Sequence, residues 1–395
     1  MIFHIGFFVG TCLLILTVPG TLELLVLTVA GMLPARRVKR RVRATEYRIA
    51  VIVPAHNEEL TIGRCVTSLL SADCSCIGLE VVVVADNCDD QTAKAAVESG
   101  ASVRIRENRT LRGKGYALDF AFRDLASGGW DAYAVVDADT EVANNFLTEI
   151  AANLAAGASA LQCRYLVRNS RESVRTRLMS IAVGAFNVLR LRGRDRLALS
   201  CGLLGNGFAL SAATLSAVPY TANSIVEDLE YHLALVSAGR KVMFVDTTAV
   251  YGDMPSTGPG VSNQRARWEG GRFRMIREKV PQLVRAILAG HPSLIEPLAE
   301  LLLLPLALHT LLLLLAAATP SWPVRAAAVA SLGLVGLHLV AAIFVTGGGV
   351  QDVACLFAAP FYLIWKVLMI PRILKSARPE TAWVRTERAL PRNLP

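Results

Sequence analysis

The sequence predicts an α/β domain built on a mostly parallel sheet, covered by helices on both faces and held between membrane helices. Three observations predict it. The chain of 395 residues is 53% hydrophobic with mean hydropathy +0.44, more apolar than soluble proteins of this length. That excess is concentrated at the two ends. Between them, short β-branched runs, "IAVIVP" (49–54), "EVVVVAD" (80–86), "ASVRI" (101–105) and "AYAVVD" (132–137), alternate with helical patterns at 58–70, 90–99 and 114–126. This alternation is that of a parallel sheet wrapped by helices.

In chain order, residues 1–33 are nearly all apolar, with His4 and Glu23 the only groups that ionise near neutral pH. The stretch is long enough to cross a hydrocarbon core of about 30 Å. It exceeds a signal-peptide core and has no basic region before it, so one transmembrane helix is expected, tilted or kinked near Pro19 and Gly20. The segment 34–46 that follows carries Arg36, Arg37, Lys39, Arg40, Arg41 and Arg43. Such a cluster marks the cytosolic side and attracts anionic headgroups. The net charge of +9 is thereby read as a property of a membrane surface, with membrane lipids as partners and no nucleic acid. Eight cysteines, including "DCSC" at 73–76, lack the paired CxxC spacing of a zinc site and read as reduced cytosolic thiols.

Residues 47–285 have the composition of a soluble domain, and 297–370 turn apolar again. A second span is expected at 297–319 despite Pro305 and His309, and a third at 324–346, joined by the hairpin "PSWP". The stretch 350–370 contains Asp352, Pro360 and Lys366. If it crossed, the basic tail 371–395 would lie outside, against the positive-inside tendency, so a re-entrant or interfacial segment and a cytosolic tail are expected. The arginine-studded stretch Arg168–Arg196 fits two surfaces equally, one against headgroups and one solvated.

In sheets of this kind ligands gather at the carboxyl ends of the strands, and this chain places its polar residues there: "HNEE", "DNCDD" and "DADT". A strand ending at Asp137 presents that carboxylate at the sheet's edge, with Asp139 two residues on. Two hard oxygen donors suit Mg²⁺ or Mn²⁺ with positions left for phosphate oxygens. Asp is also common in caps and turns, so DxD alone decides little. Downstream, Glu227 and Asp228 open a helical pattern, and "NQRARWEGGR" offers Gln264, Arg267 and Trp268. "CGLLGNGFAL" (201–210) lacks the GxGxxG of a dinucleotide site; an acceptor-facing loop is expected at Gly205, Asn206 and Gly207.

The ordered set "PAHNEE", "VVADNCDD", "RGKGYAL", "DAD", "GNGFALS", "VEDLE", "QRARW", bracketed by membrane helices, resembles the membrane-embedded inverting glycosyltransferases of family 2, the group of hyaluronan, chitin, cellulose and poly-N-acetylglucosamine synthases. The resemblance covers residues 48–275. It implies a GT-A fold, Rossmann-like in its parallel sheet, and a nucleotide-sugar donor, a UDP-sugar first, used in cell-surface or exopolysaccharide synthesis. It further implies that Pro54, Ala55, Asn57, Glu58 and Asp86 hold the nucleotide and that Lys114 sits near the donor. Asp137 and Asp139 would bind metal and donor sugar. Asp228 would be the general base, with Glu227 the next candidate, and Gln264, Arg267 and Trp268 would frame the acceptor and diphosphate. Partners implied are a glycan or lipid-linked acceptor and export partner proteins.

The chemistry needs these residue types. Displacing a nucleoside diphosphate from an anomeric carbon builds negative charge on the leaving group, which a divalent ion and an arginine stabilise more in the transition state than in the ground state. A carboxylate on the opposite face takes the acceptor's proton, contributing about 10²–10⁴ in rate, and a single displacement inverts the anomeric centre. Trp268 can stack on a sugar face. The sequence departs from the family in placing Val226 before the acidic pair and in having a small membrane region, which strains polymer export rather than sugar transfer. A nucleotidyltransferase would want a Gly-rich basic loop where "PAHNEE" stands. In a transporter or scaffold the charge pattern would lie within the membrane segments instead of the soluble domain.

Overall fold

The computed structural model describes residues 2–34, 47–74, 77–222, 224, 226–254 and 259–376; for 2–3, 77, 259–269, 369–370 and 372–376 the description is of the backbone. The chain opens with α1 (Ile2–Met32), then β1 (Tyr47–Ala55), α2 (Ile62–Leu70), β2 (Ile77–Asp86), α3 (Thr92–Glu98), β3 (Ser102–Arg106), α4 (Lys114–Leu125), β4 (Ala132–Val135), β5 (Thr140–Val142), α5 (Phe146–Ala155) and β6 (Ala160–Val167). It continues through α6 (Val174–Gly184), a π-helical turn (Ala185–Arg190), α7 (Leu191–Arg196), β7 (Phe208–Ser211), α8 (Ala212–Ala217), α9 (Glu227–Ser237), β8 (Val242–Gly252) and α10 (Pro259–Leu288). It closes with α11 (Ile295–Leu302), α12 (Leu306–Ala317), α13 (Trp322–Val345), α14 (Val350–Cys355) and α15 (Ala359–Ser376).

Among the described residues, eight strands form one sheet in the order β3-β2-β1-β4-β7-β6-β8-β5. Strands β3, β2, β1 and β4 are mutually parallel, β7 runs antiparallel to β4 and β6, β8 is parallel to β6, and β5 is antiparallel to β8. The continuous apolar run of β1 follows from burial on both faces. Ile49, Val51 and Val53 point to a core with Ile62, Cys65, Val66 and Leu69 of α2 and Phe146, Leu147 and Ile150 of α5. Ala50 and Ile52 point the other way, to Leu118, Ala121 and Phe122 of α4 and Tyr231 of α9. This period-two division fixes register, and each such Val or Ile contributes about 1.5–3 kcal/mol by leaving water. The consequence for function is positional: β2, β1 and β4 end side by side.

Among the described residues, three helices are long and apolar enough to cross a membrane: His4–Met32, Trp322–Val345 and Val350–Leu368. A further pair, Pro292–Leu302 with Leu306–Ala317, is bent by 68°, where the sequence reading expects one helix over 297–319. Pro305 explains the break: it lacks an N–H and pushes the residue before it out of the helical region, and Leu303 is extended at ψ 138°. α1, α12 and α13 pack directly on one another. A Cβ at Gly6 would lie 2.6 Å from Pro320, and one at Gly10 2.6 Å from Val324, so close approach depends on those glycines. His309 and Thr21 are 3.2 Å apart, His338 and Thr28 2.8 Å, the cross-helix polar contacts an apolar bundle favours.

The later arginines of Arg168–Arg196 lie on neither of the two surfaces weighed for the stretch, while Arg168 and Arg171 are exposed. Arg190 and Arg194 reach Glu23 of α1 at 3.1 and 2.8 Å, and Arg194, fully buried, also pairs with Glu296 at 2.5 Å and Glu300 at 3.0 Å. Arg192 and Arg164 pair with Asp246 of β8 at 3.2 and 3.1 Å. Arg272 of α10 donates to the carbonyls of Glu300 and Leu303, adding a side-chain partner to the carbonyl end of α11, where helical acceptors run short of donors. The arginines fasten the sheet domain to α1 and α11.

Candidate active site

Two turns and one loop meet beyond the end of β4. Asp137 N donates to Asn206 Oδ1 at 3.1 Å, Asn206 Nδ2 donates to Thr140 Oγ1 at 2.9 Å, and Thr140 N closes the turn on Asp137 O at 3.0 Å. Asn206, 1% exposed, therefore spans both ends of the Asp137–Asp139 turn. Its amide braces the backbone of that turn from within the acceptor-facing loop expected from the sequence. The loop around it is possible because Gly205 and Gly207 have φ of +75° and +68°, a region that costs other residues strain, and because a Cβ at Gly207 would strike Val250 at 2.7 Å.

Lys114, the first residue of α4, donates from Nζ to Asp137 Oδ1 and to the carbonyl of Gly205 at 2.7 Å. Burial works against its charge, but the carboxylates of Asp137, Glu227 and Asp228 outweigh it and lift the ammonium above its usual range. A Cβ at Gly205 would lie 3.4 Å from Asp228 Oδ2 and 3.5 Å from Lys114 Nζ, so the ammonium, the loop and the second acidic turn converge on one point.

Glu227 and Asp228 stand in the first turn of α9, whose partial positive charge suits anions. The N-cap is Val226, with no side-chain cap bond, so neither acid is there as the cap. Asp228 Oδ1 accepts from Leu229 N at 2.8 Å. Burial raises both carboxyls. Glu227 is pushed up to about 7 by burial and then by Asp228, with Lys114 pulling it down. Asp228 is raised by burial against the pull of the Leu229 N–H and Lys114.

At the ends of β1 and β2, "PAHNEE" and "DNCDD" form one wall. His56 Nδ1 lies 2.7 Å from Asp86 O, Asp89 N donates to Asn57 Oδ1 at 2.8 Å, and Glu58 N donates to Thr92 Oγ1 at 2.7 Å. Pro54 and Ala55 end β1 beneath this wall, paired with Val84 and Ala85. Asp86, 6% exposed, is held by Arg106 at 2.5 Å and by Asn87 Nδ2 at 2.9 Å. Burial raises its carboxyl while Arg106 opposes the rise.

Gln264, Arg267 and Trp268 lie on the backbone of α10, but their side chains fall outside the described residues. The approach of that helix is visible through a residue sequence reasoning passed over. A Cβ at Gly271 would lie 2.7 Å from Val226 Cγ1, so α10 sits hard against the turn bearing Glu227 and Asp228. The signal was the Gly pair inside "WEGGR", a usual mark of close approach.

Among the described residues no group of three or more His, Cys, Asp or Glu gathers to hold a metal. Asp137 and Asp139 are two hard oxygen donors with a cation, Lys114, already at Asp137. That donor set fits Mg²⁺ or Mn²⁺ in the way these ions bind substrate phosphates, through one or two carboxylates and otherwise ligand and water oxygens.

Residues 47–271 match the profile described as Glycosyltransferase like family 2. The chain belongs to that family. Its sheet is GT-A-like. This glycosyltransferase is 23% identical over 247 residues to the probable glycosyltransferase YdaM of Bacillus subtilis (strain 168), a match spanning 60% of this chain and 58% of that protein's length. Its fold is similar to that of the mannosyltransferase PcManGT from Pyrobaculum calidifontis in complex with GDP-Man and Mn²⁺, at 17% identity and TM-score 0.54, over 93% of this chain and 97% of that one.

Proposed function

We propose that this glycosyltransferase is a membrane-anchored inverting enzyme that moves a sugar from a nucleoside diphosphate-sugar to a hydroxyl of a lipid-linked acceptor. One observation carries the reading: Lys114, Asp137, Gly205 and Asp228 converge at the strand ends, with α10 packed against the same acidic turn through Gly271. Asp228 takes the proton of the acceptor hydroxyl as that oxygen bonds to the anomeric carbon and the nucleoside diphosphate departs. The raised proton affinity that burial gives it strengthens it as a base. Burial and the neighbouring charge of Asp228 favour the protonated form of Glu227, and Lys114 anchors the donor side. Asp139 with Asp137 would hold Mg²⁺ or Mn²⁺, whose chemistry is to neutralise the leaving diphosphate; the Mn²⁺ named with the mannosyltransferase PcManGT supports this choice. Asp86 and the wall of Asn57 and Glu58 receive the nucleotide, and Gln264, Arg267 and Trp268 the acceptor and diphosphate.

The six basic residues after α1 support a cytosolic domain over 47–285 and an external amino terminus. Single transfer is favoured over polymer export by the direct packing of α1, α12 and α13 at Gly6 and Gly10, which leaves those helices in contact where a glycan would have to pass. Export partner proteins are not needed for single transfer. Membranes carrying the protein, supplied with a panel of UDP- and GDP-sugars, should yield a glycosylated lipid extract by mass analysis, lost in Asp228→Asn. Release of pyrophosphate with a nucleotidylated product would contradict the reading.

A further inference from the structure

We propose that Val350–Leu368 lies in the plane of the membrane as an amphipathic anchor whose partner is the lipid surface; this rests on the membrane reading above. By length and composition alone the segment could cross. Its contacts point elsewhere. The first turn of α6, part of the sheet domain, holds both of its ends: Arg177 Nε lies 3.5 Å from Asp352 in α14, and the Arg175 guanidinium lies 4.6 Å over the ring of Trp365 in α15. Between them, Cys355 Sγ donates to Val174 O at 3.6 Å. A crossing helix puts its ends about 30 Å apart on opposite sides of the bilayer, and one turn of a domain on one side cannot hold both.

The opposite face is apolar and open. Val350, Phe357, Phe361, Ile364 and Leu368 are 80, 88, 76, 60 and 73% exposed, and the last four follow steps of four, three and four residues, one stripe of a helix. Asp352 is turned inward to Arg177, and Lys366 is buried, so the charges lie away from the stripe. Such a helix seats its apolar face in the headgroup boundary. The chain beyond supports the same side: residues 371–395 carry Arg372, Lys375, Arg378, Arg385, Arg388 and Arg392 against Glu380 and Glu387, a charge that suits anionic cytosolic headgroups. α15 also packs along α10, the helix bearing Gln264, Arg267 and Trp268. The anchor therefore holds the acceptor helix at the level of the lipid surface, where a lipid-linked hydroxyl arrives.

The test uses the full chain with one epitope inserted at Thr319–Ser321 and another after Pro395, in sealed right-side-out vesicles. The expected result is protease access to the first epitope and protection of the second until the vesicles are opened. Access to both means that Val350–Leu368 crosses, and overturns the proposal. Protection of both, with release of the chain by alkaline carbonate, overturns the membrane reading and the proposal with it. In nanodiscs containing a diazirine-bearing phospholipid, adducts should map to Phe357–Leu368 and fall about fivefold or more in Phe357→Asp/Phe361→Asp, as expected when an apolar face loses its seat. No adduct there, or cross-links to a second copy of the chain, would remove the lipid surface as the partner.

Discussion

The cleft at the strand ends and the joint beneath it hold charge in opposite ways. In the joint, Arg190, Arg194 and Arg272 stand against Glu23, Glu296 and Glu300, three and three, and Arg194 alone uses all three of its nitrogens on carboxylates. In the cleft, Asp137, Glu227 and Asp228 converge on the single ammonium of Lys114, which all three carboxylates hold in its charged form. A balanced buried cluster is complete and can only hold things in place. An unbalanced one has room for further positive charge and for a proton; upward shifts by themselves do not separate the two, since burial also lifts Glu296 of the joint to about 7. Counting arginines along the sequence could not separate the two, because balance depends on partners brought from far along the chain.

The predictions test that difference. The largest effect should follow from removing the added positive charge: excess EDTA, or Asp139→Ala, should abolish transfer, and Mg²⁺ or Mn²⁺ should restore the wild type only. Undiminished turnover in EDTA would mean that Lys114 and Arg267 suffice. Next is Arg194→Met, which takes the guanidinium from Glu296 and Glu300 and leaves Glu23 to Arg190 alone, and should cost about 3–5 kcal/mol of stability, read as a lowered unfolding midpoint in detergent. An unchanged midpoint would break the claim that the joint is structural.

A smaller effect concerns pH. Only the deprotonated base accepts a proton, so single-turnover transfer should rise about tenfold per pH unit through the acid limb and level off once Asp228 is ionised, with that limb displaced upward from the ordinary aspartate range because burial raises Asp228. A flat profile between about pH 5.5 and 8 would contradict this. The smallest effect is on stability. Glu227 is raised from 4.5 to about 7, so the folded state binds its proton more tightly than the unfolded state. Its stabilising contribution is present below the lower value and lost as pH rises through the higher one. Glu227→Gln, which imitates the protonated form, should raise the unfolding midpoint by about 2–4 °C at pH 8 and leave it unchanged at pH 4.

The parallel half of the sheet was legible because β1, β2 and β4 are continuous apolar runs ending in polar turns, and those turns carry most of the site. The other half was not. β5 and β7 are three and four residues long, too short for periodicity to show, and β7 is recruited by the Gly205–Gly207 loop rather than by its own pattern. Asp137 and Asp228 could be named from motif order, but Asn206 could not be recognised as the brace of the acidic turn, since its bonds join residues 66 and 69 positions apart. The break between α11 and α12 was signalled by Pro305 and overridden by the apolar run around it. The joint was illegible for a similar reason: Glu23 and Arg194 are 171 residues apart.

The most direct measurement pairs Asp228→Asn with Arg194→Met and follows nucleotide-sugar binding, thermal unfolding and single-turnover transfer on each. Asp228→Asn keeps size and the N–H contact from Leu229 while losing the proton acceptor. The account predicts binding within a few-fold of wild type, an unfolding midpoint nearly unchanged, and transfer reduced by about 10² or more; Arg194→Met should show the reverse, with stability lost and transfer retained in the folded fraction. Near-normal transfer by Asp228→Asn, with any loss tracking its stability, would contradict the central claim and pass the role of base to Glu227.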